Sequence, residues 1–142
     1  MSTTQNIDPW DDFIQWDESS RNLIKIKKIY IDITNNLNAG ILLDQIIYWN
    51  LPSKNSEMGS KLRIWKNGEL WLAKRREDWW DEIRLTPKQY DSAIKILKQF
   101  NIVRTEVFKF HGDPTTHIAL NKDVLLELLE KHKKQLIKAQ KQ

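Results

Sequence analysis

The chain of 142 residues has no cysteine, only four glycines and four prolines, and no long apolar run. Each shortage closes a class of function. Without cysteine there is no disulfide scaffold, thiolate metal site, iron–sulfur cluster or cysteine nucleophile, and an intracellular setting is expected. With Gly40, Gly59, Gly68 and Gly112 as the only glycines, no GxGxxG, GxxxxGK[ST] or GxSxG occurs and no phosphate-cradling loop can be built. A bilayer span takes about 18 consecutive apolar residues, and the opening MSTTQNIDPWDD has neither a basic nor an apolar signal region. A soluble, cytoplasmic protein without a membrane partner is expected. His111, His117 and His132 lack metal-ligand spacing. The carboxylate pairs Asp11-Asp12 and Asp81-Glu82 sit at adjacent positions that point apart. No enzyme activity, metal or cofactor is expected.

What is present is 40% hydrophobic and 30% charged residues, enough for one domain with a modest core. The net charge of +4 is unevenly spread. Residues 1–20 carry Asp8, Asp11, Asp12, Asp17 and Glu18 and no Lys or Arg, so subtracting −5 from +4 leaves +9 for residues 21–142. That balance suits a domain that meets a polyanion, although many basic domains bind none.

Along the chain, LIKIKKIYIDI (23–33) alternates apolar and polar residues with β-branched side chains and predicts a strand. Its phase shifts at Lys27-Lys28, which marks a bulge or a handover to a helical turn. A buried helix is expected from Leu37 to Asn50, ended by Pro52, and then a polar loop from Pro52 to Ser60. Asn67-Gly68 predicts a hairpin over 61–73, because both turn positions tolerate positive φ. A short helix is expected over Lys74–Arg84. The next begins with three agreeing devices: Thr86 as N-cap, Pro87 at the first position and Gln89 three residues after the cap. Its apolar stripe is Tyr90, Ala93, Ile94, Leu97 and Phe100, and its other face presents Lys88, Gln89, Asp91, Ser92, Lys95, Lys98 and Gln99. A second hairpin follows, with a four- to six-residue tip at His111–Pro114. Asp123 is expected to cap a last helix whose stripe runs from Val124 through Leu136 and Ile137, a candidate homodimer face with a basic end.

This order predicts an α+β winged helix-turn-helix: a three-helix core with a C-terminal β-hairpin wing, an extra hairpin before helix 2 and a C-terminal helix. Residues 1–21 form an acidic aromatic tail, 22–122 the winged helix and 123–142 the last helix. In such a domain the second helix of the motif enters the major groove of double-stranded DNA and the hairpin touches the backbone or minor groove. The expected contacts are Thr86, Lys88, Gln89, Ser92 and Lys95 on that helix and Arg104, Lys109 and His111 on the wing. Lys74, Arg75 and Arg76 would hold the phosphate backbone. Each of these could instead be an ordinary solvated side chain.

The run NLIKIKKIYIDITNNLNAGILLDQIIYWN and the run GELWLAKRREDWWDEIRLTPKQYDSAIKILKQFNIVRTEVFKFHGDPTTHIALN resemble the N-terminal winged-helix domains of phage and plasmid replication initiators. DnaD-type replisome organisers and their relatives on bacterial mobile elements are the group in question. LNAGILLDQIIYW, the paired-Trp EDWW, LTPKQYDSAIKILKQFNIV and the return strand TTHIALN carry the likeness, which covers residues 22–122. It implies replication-initiation or transcription-regulatory DNA binding. Proteins of that group usually continue into a second helical domain, whereas 20 residues follow position 122 here, so the expectation is a stand-alone operator or origin binder, a small phage regulator, or a winged helix recruited to bind protein.

The aromatic residues divide. Trp49, Trp71, Trp79 and Trp80 sit in apolar periodic contexts and are expected in the core, while Trp65, between Arg63 and Lys66, is the candidate for base stacking. Trp10, Phe13, Ile14 and Trp16 form an apolar edge among carboxylates. That edge folds back on its own domain, docks on a host or phage replication protein, or masks the basic face. A rival function is therefore a phage-encoded inhibitor or adaptor that binds a host protein.

Overall fold

A computed structural model of the chain describes residues 8–53 and 60–140, with side chains as far as Gln135. Among the described residues the fold is α+β, with six α-helices and a four-stranded antiparallel sheet. The helices are α1 (Pro9–Ser19), α2 (Lys28–Thr34), α3 (Leu37–Asn50), α4 (Trp79–Ile83), α5 (Pro87–Gln99) and α6 (Lys122–Gln140). The strands are β1 (Ile64–Lys66), β2 (Glu69–Ala73), β3 (Val103–Phe110) and β4 (Asp113–Leu120), in the order β1-β2-β4-β3. Most of the expected loop Pro52–Ser60 lies outside the described residues.

The expected strand over 23–33 is not formed: residues 23–27 are irregular and 28–34 are α2. The isoleucines that alternate in text also satisfy helical spacing, because Tyr30, Ile33 and Thr34 bury one face at i, i+3 and i+4. Tertiary burial outweighs the β-branched preference here. Asn35 stops the helix in a left-handed conformation (φ 52°), and its N–H donates to the Ile31 carbonyl at 2.6 Å. Asn36 then caps α3, accepting from the Ala39 N–H at 2.9 Å. The two helices meet closely at Gly40, where a Cβ would lie 2.9 Å from Ile31 Cγ1 and 3.0 Å from Ile31 backbone atoms.

One face of the sheet carries Leu72, Val103 and Ile118 into the main core with Leu42, Leu43 and Ile46 of α3, Trp79 and Ile83 of α4, and Tyr90, Ala93 and Leu97 of α5. Trp79 stacks on Tyr90 with ring centroids 5.6 Å apart. The strand register puts Arg104, Glu106 and Phe108 on the opposite face, level with Ala119, His117 and Thr115. There Trp71, Phe108 and His117 meet edge to face in a second, smaller cluster. Both buried faces explain why TTHIAL is apolar or small on alternate and adjacent positions alike.

Both hairpins close through two-residue turns with positive φ, at Asn67-Gly68 (52° and 79°) and His111-Gly112 (52° and 87°). The tip of the second hairpin is therefore shorter than expected, because Phe110 already pairs with Asp113. Pro114 sits in β4 beyond the stretch that β2 covers, where its missing N–H leaves no ladder bond unmade. Lys74 and Arg75 do not start a helix: the Lys74 N–H donates to the Thr116 carbonyl at 3.3 Å and prolongs the β2–β4 pairing, and a 3₁₀ turn at Arg76–Asp78 leads into α4. Nor does Asp123 cap α6, which begins one residue earlier, after Asn121.

Candidate nucleic-acid interface

Helix α4 is five residues long, and Arg84 ends it in the left-handed region at φ 59°. The Arg84 guanidinium returns to the Trp80 carbonyl at 2.8 Å and lies over the Trp80 ring at 5.3 Å. Three residues, Arg84, the buried Leu85 and Thr86, lie between α4 and α5. The Thr86 hydroxyl accepts from the Gln89 N–H at 3.2 Å, and the Gln89 side-chain oxygen accepts from the Thr86 N–H at 2.9 Å. This capping box fixes the start of α5, and the buried face of Tyr90, Ala93 and Leu97 fixes its rotation. Lys88, Ser92 and Lys95 consequently share an exposed face at i, i+4 and i+7, with Lys98 beside them.

The expected contact residues separate into two sets. Four ion pairs form among the described residues, and each takes one cation expected at the interface. Lys74 is largely buried, ion-paired with Glu82 and packed over the Trp49 ring at 4.8 Å. Burial pushes the Lys74 ammonium pKa down, with Asp78 acting against that shift. The same Glu82 carboxylate accepts from Gln45 Nε2 at 2.7 Å and Trp49 Nε1 at 2.8 Å, joining α3, α4 and the end of β2. Lys74 is thus a structural residue and is corrected as a phosphate clamp. Arg75 reaches Asp113 at 2.8 Å, and Arg76 grips Asp91 through two bonds of 2.8 and 2.7 Å. The Asp91 partner raises the Arg76 pKa.

Arg104 faces away from α5, on the other side of the sheet. It is ion-paired with Glu69, bonds Asn121 Oδ1 at 2.8 Å and lies over Trp71 at 5.6 Å. It does not belong with the α5 set. Lys109, by contrast, is level with Pro114 on the helix-bearing side, and His111 is exposed in the turn. Among the described residues Lys88, Lys95, Lys98 and Lys109 enter no ion pair. The Gln89 oxygen accepts one bond in the cap, and its amide NH2 is left to donate to another partner.

Lys98, read from the sequence on the polar face of this helix but not among the expected contacts, is exposed beside them. Glu82, Asp91 and Asp113 were missed as the carboxylates that occupy the basic run. Trp80 is half exposed, against expectation, because in so short a helix Trp79 and Ile83 take the inward positions. Trp65 is exposed on β1 as expected of a stacking candidate. On α6, Leu125 is buried and Val124, Leu128 and Leu129 pack on the core, so this part of the expected dimer stripe is covered by its own chain. Leu136 and Ile137 lie outside the described side chains. Trp10, Phe13, Ile14 and Trp16 of α1 are all exposed, which overturns the reading that the tail folds back on its domain.

No groups of three or more candidate metal ligands occur among the described residues, and no described helix is long and apolar enough to cross a membrane. No family model, curated protein or solved structure matches this chain.

Proposed function

We propose that the chain is a winged-helix protein that binds double-stranded DNA through α5 and the β3–β4 hairpin. The observation that carries this reading is the exposed Lys88–Ser92–Lys95 face, free of internal ion pairs, on a helix joined to α4 by three residues and followed directly by a hairpin. Cations left without internal partners release condensed counterions when they meet phosphates. The N-terminal turn of α5 is positioned to approach base edges, where Lys and Ser side chains donate to or accept from them. Lys109 and His111 would add backbone contacts from the wing. Arg75, Arg76 and Arg104 join only if DNA competes away their carboxylates, and Lys74 stays inside.

The likeness to the winged-helix domains of phage and plasmid replication initiators supports a role in replication or transcription on a mobile element. Selection of bound sequences from a random duplex pool tests this reading. Enrichment of a site that Lys88→Ala weakens is the expected result, and no retention of duplex at about 50 mM salt, where nonspecific binding is strongest, would overturn it. The reading as an inhibitor or adaptor of a host protein is favoured by one observation, the exposed aromatic edge of α1. It predicts retention of a protein partner by the full chain that is lost on Trp10→Ala with Trp16→Ala, while duplex is not retained.

A further inference from the structure

The largest cavity described is an open groove of about 1060 Å³ between residues 21–27 and the helices α3 and α4. Leu23, Ile24, Tyr48 and Leu51 line it, and all four are large hydrophobic residues left exposed. Lys25 and Lys27 stand on its wall. Of its two carboxylates, Glu82 is ion-paired with Lys74 and accepts from Gln45 and Trp49, while Asp44 accepts from the Lys27 backbone N–H at 2.9 Å and keeps its charge, against Arg21, Lys25 and Lys27 on the wall. The groove therefore offers apolar surface bordered by unpaired positive side chains.

Helix α1 is its chemical complement. Asp8 caps it, accepting from the Trp10 N–H at 3.0 Å, and none of its residues is buried. Trp10 stacks on Phe13 at 5.1 Å, and Phe13 tilts against Trp16 at 6.1 Å, so the rings form one continuous apolar edge. Asp17 falls within that edge, at i+7 from Trp10, and Asp12 and Glu18 border it. Among the described residues the hydrogen bonds of α1 are to its own residues or to Ser20 and Arg21. Two apolar surfaces of opposite charge thus stand exposed in one chain. Only Ser20 separates the helix from Arg21, the first residue of the groove wall, yet no residue of α1 lines the groove.

We propose that α1 of one copy docks in the groove of a second copy and that the second α1 docks reciprocally, giving a two-fold dimer by segment exchange. The exchange closes on itself, so it buries both apolar surfaces without leaving a sticky end. Aspartates and glutamate on α1 would meet Lys25 and Lys27, setting orientation as well as affinity. The proposal concerns a surface apart from α5 and holds whether or not the chain binds DNA.

Charge reversal in the full chain tests it. One variant carries Asp17→Lys with Glu18→Lys, which leaves the helix intact because cations suit its last turn. The other carries Lys25→Glu with Lys27→Glu, both exposed side chains. Light scattering at roughly 50 µM, above a micromolar Kd, should show the unmodified chain at twice its monomer mass. Each variant alone should associate at least about tenfold more weakly, and an equal mixture of the two should recover the dimer, since each reversed tail then meets an oppositely reversed groove. A monomeric unmodified chain, variants that stay dimeric alone, or a mixture that stays monomeric would each overturn the exchange. The first outcome is the one expected if α1 closed on its own groove. Because the readout is mass alone, duplex binding can succeed or fail independently.

Discussion

Residues 74–76 and the exposed face of α5 have the same chemistry in the sequence and opposite roles in the structure. Each offers three cations, Lys74, Arg75 and Arg76 in one and Lys88, Lys95 and Lys98 in the other. The first three are all held by carboxylates, Glu82, Asp113 and Asp91. The second three enter no described ion pair. Charge counted along a chain is therefore not charge available to a ligand. A contiguous KRR run looks the stronger nucleic-acid signal, but it lies where the strand, the 3₁₀ turn and two helices converge and is absorbed as cross-links. Cations three or four residues apart on a helix point away from the core together.

The sharpest way to break this contrast is to remove the carboxylate at the centre of the first region. Glu82→Ala leaves Lys74, Gln45 and Trp49 without an acceptor in a largely buried place, and should lower unfolding free energy by about 2–4 kcal/mol. Lys88→Ala, on the other face, should change it by no more than about 0.5 kcal/mol. Urea titration compares them, and equal losses would dissolve the distinction.

The two sides of α5 can also be separated by pH. Tyr90 lies on its buried side, and burial, reinforced by Asp91, pushes the phenol up to about 12, while Arg76 opposes the shift. The native state therefore holds the proton more tightly than the unfolded chain. Stability should be intact below pH 10 and fall by up to about 3 kcal/mol as pH rises from about 10 to 12. Replacing Tyr90 with Phe should flatten that fall, which melting across this range measures; an undiminished fall would assign it to other groups.

The capping box is a smaller lever. Thr86→Ala should cost about 1 kcal/mol, whereas Gln89→Glu keeps the acceptor for the Thr86 N–H and should leave stability nearly unchanged. Gln89→Glu also removes the amide donor, so altered sequence preference in a stable protein would identify Gln89 as a base reader. Unchanged preference would leave it a cap. Smallest of all, Arg75→Ala should shift stability by less than about 1 kcal/mol, since its pair with Asp113 is mostly exposed.

Local chemistry made much of this fold legible. The Thr86-Pro87-Gln89 start, the Asn67-Gly68 turn and the Leu37–Asn50 helix follow from devices that act within a few residues, and each is formed as expected. Long-range effects were not legible. The isoleucines of 23–33 alternate as in a strand, yet 28–34 form a helix that buries Tyr30, Ile33 and Thr34 and brings Ile31 close to Gly40 of α3. The partners of Arg75 and Arg104 are 38 and 35 residues distant, so no spacing rule reveals them. The exposed residues of α5 were readable because one helix sets both its buried and its open face. Which strand side Arg104 and Lys109 occupy follows only from knowing which side meets the helices.

The slope of log affinity against log salt on a random duplex measures the difference between the two cation sets directly. Lys88→Ala, Lys95→Ala and Lys109→Ala together should flatten it by about three units, roughly one for each phosphate that no longer meets a cation. Arg75→Ala with Arg76→Ala should flatten it by less than about one unit. A greater flattening from the arginine pair than from the three lysines would contradict the division into free and committed charge.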